Sequence, residues 1–454
     1  MKKQPFIKVT LFILVCFCFP MLLAACGSYS VTTAPAGTTA AATTAVDSGD
    51  SSAEETKPGT SGLPTGAASA TTAAATTAAA GTTSAAAGSS AVRPSPYNQT
   101  PLKAGAVDDN LKFQEYLDYI RSYQDEAVLP VDVSERYIIS VIDGDARTVS
   151  NAAVKIYGGQ QLLFEGKTYS NGQVLFFPRA IAGASQFTRF DVTVEKAGQS
   201  TTRSFQRLNL EQSQDQSAGT TWSIELKGSL HAQPGVSPTL DLLFLLDSTG
   251  SMGGEIRQVQ QTISEISYQI NELPGAPKVR FGVVTYRDRG DNYVTRKYGF
   301  TSNLGEFSNF LNSISAGGGG DYPESLDEAL DVAIKNMNWD AGNAVRLTFL
   351  VADAPPHLDY PDDVKYTRSV VEAVRQGIKI YTIGASGLSK QGEYIFRQLS
   401  ELTLAQYLFI TRGGDEGKPG SGGPASNTGV TYQEKNLAQI VINIVRSEVT
   451  NLAQ

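Results

Sequence analysis

Thiols and imidazoles are scarce in this chain. Of its 454 residues three are cysteine and only two are histidine, His231 and His357. So few histidines leave little basis for a zinc site built on imidazoles, and neither HExxH nor GxSxG occurs. Cys16 and Cys18 lie within the leading apolar segment, so Cys26 is the single thiol beyond it. One thiol forms no internal disulfide, and the fold must be held by its core. The net charge is −8. With no basic cluster and no interleaving of aromatic and basic residues, nucleic acid is not an expected partner. After the first apolar run there is no second one long enough to span a bilayer.

That first run, "MKKQPFIKVTLFILVCFCFPMLLAAC", has Lys2, Lys3 and Lys8, then an apolar stretch, then small residues. The layout is that of a secretory signal, which is not part of a fold. Its end, Leu23-Ala24-Ala25-Cys26, resembles the lipobox of bacterial lipoproteins. The resemblance implies removal of residues 1–25 and a diacylglyceryl group on Cys26. The expected setting is the bacterial cell envelope, outside the cytoplasm, with a lipid as membrane anchor. Residues 26–106 are mostly Ala, Thr, Ser and Gly. They hold too little apolar bulk to offset their ordering entropy and are expected to be a disordered tether. About 75 such residues span on the order of 50 Å.

Residues 107–129 read as a helical segment, with Leu111, Phe113 or Tyr116, Leu117 and Ile120 on one face and Asp108 and Asp109 as caps. From 130 to 229 short β-rich runs alternate with Asp-Gly, Asn-Gly and Gly-Gly turns, which predicts a smaller all-β sandwich. The order of "NAAVKIY" and "GKTYSNGQVLF" resembles the carboxypeptidase-regulatory or transthyretin-like sandwich.

Over 237–452 strands and helices alternate. "TLDLLFLLD", "KVRFGVVTYRD", "AVRLTFLVAD", "GIKIYTIGA" and "AQYLFIT" are too uniformly apolar for strands with one wet face. They suit a parallel sheet covered on both sides. Ile256, Val259, Ile263, Ile266 and Ile270 step at helical spacing, as do Leu326, Leu330, Ile334 and Met337. Leu437, Ile440, Val441 and Ile444 mark a closing helix. The expected fold is α/β, a doubly wound, mostly parallel, Rossmann-like sheet.

In such sheets ligands sit beyond the carboxyl ends of strands, where strand order reverses. Three oxygen-rich groups fall at strand ends or helix starts: Asp247 to Ser251 ("DSTGS"), the run Gly317–Gly320 leading to Asp321 and Glu324, and Asp353. Carboxylates and hydroxyls without thiolate or imidazole suit one hard divalent cation, Mg²⁺ or Mn²⁺ first and Ca²⁺ next. A plainer role is open for two of the groups. Asp247 and Ser251 can cap the helix that starts near Gly253. Asp321 can be an N-cap, with Glu324 completing a capping box.

These residues resemble the von Willebrand factor A (VWA) family and its metal-ion-dependent adhesion site. The family's Asp-x-Ser/Thr-x-Ser is met by Asp247, Thr249 and Ser251, and its late Asp by Asp353. Its middle element is usually a Thr at a helix start; here the corresponding position is taken by Asp321. The resemblance implies a metal held by Asp247, Thr249, Ser251, Asp321 and Asp353. It also implies recognition of a protein or cell-surface partner, with no catalysis. Two other readings remain: an envelope assembly scaffold with a structural metal, and a metal-assisted hydrolase, for which no convincing base or nucleophile is seen. "RDRGDNY" and the glycine-rich stretch Arg412–Glu434 also follow strands and are expected at the same rim, and His357 reads as a loop residue.

Overall fold

A computed structural model of the chain describes residues 101–208, 220–230, 239–273, 278–411 and 432–453. The chain divides into two units, Met1–Gly88 and Ser89–Gln454, and every described residue belongs to the second. The signal segment, Cys26 and the tether up to residue 100 lie outside the described residues, as do His231 and residues 412–431.

The tether was expected to run to 106, but Lys103–Val107 is a strand, β1. Its small residues read as low complexity in sequence. In the fold their backbone pairs antiparallel with a strand three hundred residues later, which satisfies the donors and acceptors of both. The next helix, α1, is Phe113–Ser122 and buries Phe113, Tyr116 and Leu117. Leu111, assigned to that face by periodicity, precedes the helix and is exposed. Asp108 accepts from the Leu111 amide, while Asp109 leaves the helix start altogether and pairs with Arg397.

Residues 137–225 build two sheets. Strands β2 (Tyr137–Ile142), β5 (Gln173–Phe176) and β8 (Thr220–Glu225) form one; β3 (Ala153–Gly158), β4 (Gln161–Lys167), β6 (Arg189–Lys196) and β7 (Gln199–Gln206) form the other. Alternate residues of both, Ile139, Val154, Ile156, Phe176, Val192 and Trp222 among them, meet in one apolar cluster. Period-2 alternation requires this where a strand has one apolar face to bury; the edge strand β7 has no buried residue.

The five apolar runs become parallel strands: β9 (Thr239–Asp247), β10 (Lys278–Tyr286), β12 (Ala344–Ala352), β13 (Ile378–Gly384) and β14 (Tyr407–Thr411). With β11 (Thr295–Thr301), β1 and β15 (Lys435–Asn436) they make an eight-stranded sheet in the order β11-β10-β9-β12-β13-β14-β1-β15. Helices cover both faces. Leu240, Leu242, Phe244 and Leu246 of β9 face a cluster built with α2 (Ile256–Asn271), α3 (Leu304–Asn312) and α7 (Leu437–Ala453). Leu243 and Leu245 face the other way, toward α1, α4 (Leu326–Lys335), α5 (Tyr366–Gln376) and α6 (Lys390–Leu402). That two-sided burial is why the strands carry no polar face. No helix of the described residues is long and apolar enough to cross a membrane.

The two-sheet unit is fastened to the larger sheet by polar contacts. Asn151 accepts from Arg346 Nη1 at 2.6 Å and donates to the Ala344 carbonyl. Ser170 donates to Glu448, which also accepts from Lys379 and Tyr381.

Candidate functional site

Strand order reverses at β9, with β10 and β11 on one side and β12 to β14 on the other. Asp247 is the last residue of β9, and Asp353 follows β12 directly. Parallel register sets Val351 opposite Leu246, so the two strands end side by side. This is the crevice in which open α/β sheets bind ligands.

The loop after β9 is shaped by Asp247 itself. Its Oδ1 accepts from the Thr249 amide at 2.9 Å and from Thr249 Oγ1 at 2.7 Å, a local turn of the kind short acidic side chains favour. Neither the short turn over Gly250–Gly254 nor α2 has a side-chain cap. Asp247 and Ser251 are therefore not helix caps. Thr249 Oγ1 lies 3.1 Å from Ser251 Oγ, and Ser251 Oγ donates to Asp353 Oδ1 at 2.9 Å. Four of the five residues singled out by sequence thus form one hydrogen-bonded chain.

The fifth, Asp321, is not in that chain. It is exposed, and its carboxylate groups with Asp288 and His357. Nor does it cap α4, whose N-cap is Ser325. The carboxylate that the fold carries inward is Glu324. Its backbone amide donates to the Pro355 carbonyl and its own carbonyl accepts from His357, each at 3.0 Å. These bonds lock the loop before α4 to the loop after β12. Sequence reasoning gave Glu324 only a capping role. The available signal was its place immediately before a helix N-cap, at a helix start where the family's middle element belongs.

Glycines make room for this arrangement. Gly318 and Gly319 have φ near +74° and +71°, where a side chain is strained. A Cβ on Gly319 would lie 2.7 Å from Glu324 Oε1, and one on Gly318 would lie 2.2 Å from Asp291 Oδ1. Asp291 braces this loop by accepting from the Gly319 amide at 2.8 Å and the Asp288 amide at 3.2 Å. Its neighbour Arg289 pairs with Asp363 and lies over the Tyr360 ring. The Arg289-Gly290-Asp291 tripeptide is thus a structural brace, its charged side chains engaged within the chain.

Asp247, Asp353 and Glu324 disturb one another. Burial and then the Asp353 charge push the Asp247 carboxyl up to about 7. Burial raises Asp353 as well. Glu324 is pushed up to about 9 by burial, then by Asp247, Asp288, Asp353 and Asp291. The largest charge effects on these three all come from carboxylates. Asp247 Oδ2 and Glu324 Oε2 are buried without a hydrogen-bond partner. Buried acceptors left unpaired are costly, and the shortfall here is one of positive charge. Oxygen donors from three loops, their carboxylates disfavouring one another's charge, fit a hard divalent cation.

Residues 241–410 match the model of the von Willebrand factor type A domain. Among curated proteins, an alpha-protein kinase, vwkA, of Dictyostelium discoideum is 34% identical over 123 residues, 27% of this chain and 19% of that protein. An ariadne-like RING finger protein of Acanthamoeba polyphaga mimivirus is 31% identical over 122 residues, 26% of this chain and 11% of that one. Human von Willebrand factor A domain-containing protein 7 is 36% identical over 99 residues, 22% of this chain and 10% of the relative. The chain spans about a fifth or less of the length of these relatives. The solved structure of proximal thread matrix protein 1 from the mussel byssus covers 38% of this chain and 47% of its own at 14% identity. Its TM-score of 0.27 is too low to bear on the fold. Family match, sheet topology and loop geometry agree: residues 241–410 of this chain form a von Willebrand factor type A domain.

Proposed function

We propose that this chain is a binding protein of the bacterial surface, held to its membrane by a lipid on Cys26 and recognising a protein or cell-surface partner through a divalent cation. VWA domains mediate protein interaction and adhesion, which supports the general class. The two buried, unpartnered oxygens of Asp247 and Glu324 support the finer reading, because a polar pocket so short of positive charge is costly to maintain. Asp247, Ser251, Thr249, Asp353 and Glu324 would hold the ion, Mg²⁺ or Mn²⁺ by their hard-oxygen chemistry, with Ca²⁺ the next choice. When bound, the ion supplies a Lewis-acid position for an oxygen of the partner. The chain's own part is to fix the loops: Thr249 holds Asp247, Ser251 orients Asp353, and Glu324 closes the third side. Three carboxylates weaken the ion's pull on an acidic group, so a carbonyl or hydroxyl oxygen is the better partner ligand.

The two-sheet unit of 137–225, of transthyretin-like type, serves in this proposal as an accessory module that follows β1 and α1, since β1 joins the tether directly to the VWA sheet. No bond is made or broken. The relatives include a protein kinase by name, but the aligned stretch is only a fifth of it.

The test is a melt of the full-length chain and its Asp247→Asn form in chelator, then in excess Mg²⁺, Mn²⁺ or Ca²⁺. A ligand at about 100 times its dissociation constant adds roughly 2.7 kcal/mol. The wild type should gain it and the variant should not. Equal behaviour in every metal would overturn the cation reading. Partner binding that persists in chelator would instead support a scaffold with a structural metal.

A further inference from the structure

We propose that Asp288, Asp321 and His357 form a second cation site, beside the Asp247 site and chemically distinct from it. The three come from separate segments: Asp288 from just beyond β10, Asp321 from the glycine-rich loop before α4, and His357 from the loop after β12. One ligand atom from each lies within 4.8 Å of the others.

Acidic groups cluster without purpose on many surfaces, and His357 is what sets this one apart. The ring is buried at 3% exposure and stacked on Tyr360, with centroids 4.0 Å apart and planes 10° from parallel. Its Nδ1 lies 2.8 Å from Asp359 Oδ1. A carboxylate can only accept there, so Nδ1 carries the proton. A carboxylate that holds the far nitrogen in this way is the usual support of a metal-binding histidine, since it fixes the tautomer and the ring. In the neutral ring Nε2 then keeps a lone pair, and that nitrogen is buried without a hydrogen-bond partner.

That lone pair has a target. Nε2 is 3.7 Å from Asp288 Oδ2, too far for a hydrogen bond. Two ligands that each reach an ion at about 2.1 Å sit at most roughly 4.2 Å apart, so the span suits a shared ion. Asp288 is already oriented: Ser325 Oγ donates to its Oδ1 at 2.7 Å and the Tyr360 hydroxyl to its Oδ2 at 3.2 Å. Asp321 is exposed, which leaves one side open for water to complete the shell. An imidazole with two carboxylates favours Mn²⁺ or Zn²⁺ over Ca²⁺. The plainer alternative is a protonated His357 that merely pairs with Asp359 and Asp288.

Nothing here depends on a cation at Asp247, but the two groups are joined. The His357 amide donates to the Glu324 carbonyl, and the Glu324 side chain feels both Asp247 and Asp288. An ion at the second site would fix the loop that presents Glu324 to the first.

The experiment uses full-length chain stripped by chelator and titrated with Mn²⁺, read by bound-metal count and by pulsed electron paramagnetic resonance. An all-oxygen site gives no coupling to nitrogen, whereas His357 gives an imidazole ¹⁴N signal. The wild type and Asp247→Asn should both show it, and His357→Gln should not. Asp359→Ala, a change at an exposed residue, should weaken the nitrogen-coupled binding about 10–100-fold without unfolding the chain. No ¹⁴N coupling in the wild type, or coupling that survives in His357→Gln, would overturn the proposal. The first result would make His357 a charged partner only, and the second would point to His231.

Discussion

Ser251 Oγ donates to Asp353 Oδ1 over 2.9 Å and so joins two loops 102 residues apart in sequence. The bond orients a carboxylate that ends a buried strand. Ser251→Ala should cost about 1 kcal/mol in chelator, the net worth of one hydrogen bond. It should raise the cation concentration at half-saturation by roughly 10-fold or more, as loss of a ligand or its support does. Thermal melts across a Mn²⁺ titration read both numbers.

A second bond ties the segment before the two-sheet unit to the VWA domain. Arg397 donates from Nε and Nη2 to the two oxygens of Asp109, at 2.9 and 2.6 Å, and both residues are buried. Glu393 is its other acidic partner, at 3.2 Å. Asp109→Ala removes half of a bidentate pair and leaves the guanidinium short of charge. About 3–5 kcal/mol should be lost, measured by denaturant unfolding.

Glu401 makes stability depend on pH. It is fully buried, both its oxygens lack hydrogen-bond partners, and its nearest cation is Arg136 Nη1 at 3.8 Å. Burial pushes its carboxyl up to about 8; Arg136 opposes the shift and Asp109 adds to it. The folded state therefore holds the proton more tightly than the unfolded chain. The stabilisation is complete below about 4.5 and is lost as pH rises toward 8, at no more than about 1.4 kcal/mol per pH unit. Glu401→Gln should flatten that part of a stability-versus-pH curve recorded in chelator.

Gly105 tests whether β1 is integral to the sheet. A Cβ there would lie 2.3 Å from the Phe409 ring and 2.8 Å from Tyr432. Gly105→Val should destabilise by at least about 1–3 kcal/mol through overpacking. It should also speed hydrogen exchange in Tyr407–Thr411, the strand that β1 covers. Unchanged exchange there would mean that β1 is dispensable.

Much of the VWA domain could be read before the fold was known, because its parallel strands are buried on both faces and so carry mostly apolar runs of five to nine residues. The partly exposed edge strand β11 and the two-residue β15 gave no such signal. Helices α3, α5 and α6 escaped notice as well. In α6 the polar face is buried as well, Glu393, Arg397 and Glu401 with it, which the sequence pattern alone does not reveal.

The site divides in the same way. Asp247, Thr249 and Ser251 occupy a single loop, and Asp353 ends a strand whose burial is plain from composition, so local sequence was enough to single them out. Asp321 and Glu324 are three residues apart and both acidic, and the one local sign of which turns inward is that Glu324 directly precedes the helix N-cap Ser325. That was decided by the Pro355–His357 loop, which hydrogen-bonds the backbone of Glu324 and leaves Asp321 at the rim with Asp288 and His357. The sequence by itself determined which residue types end which strands. The choice among neighbouring carboxylates belonged to backbone pairing between distant loops, which forms only after the sheet has set those loops side by side.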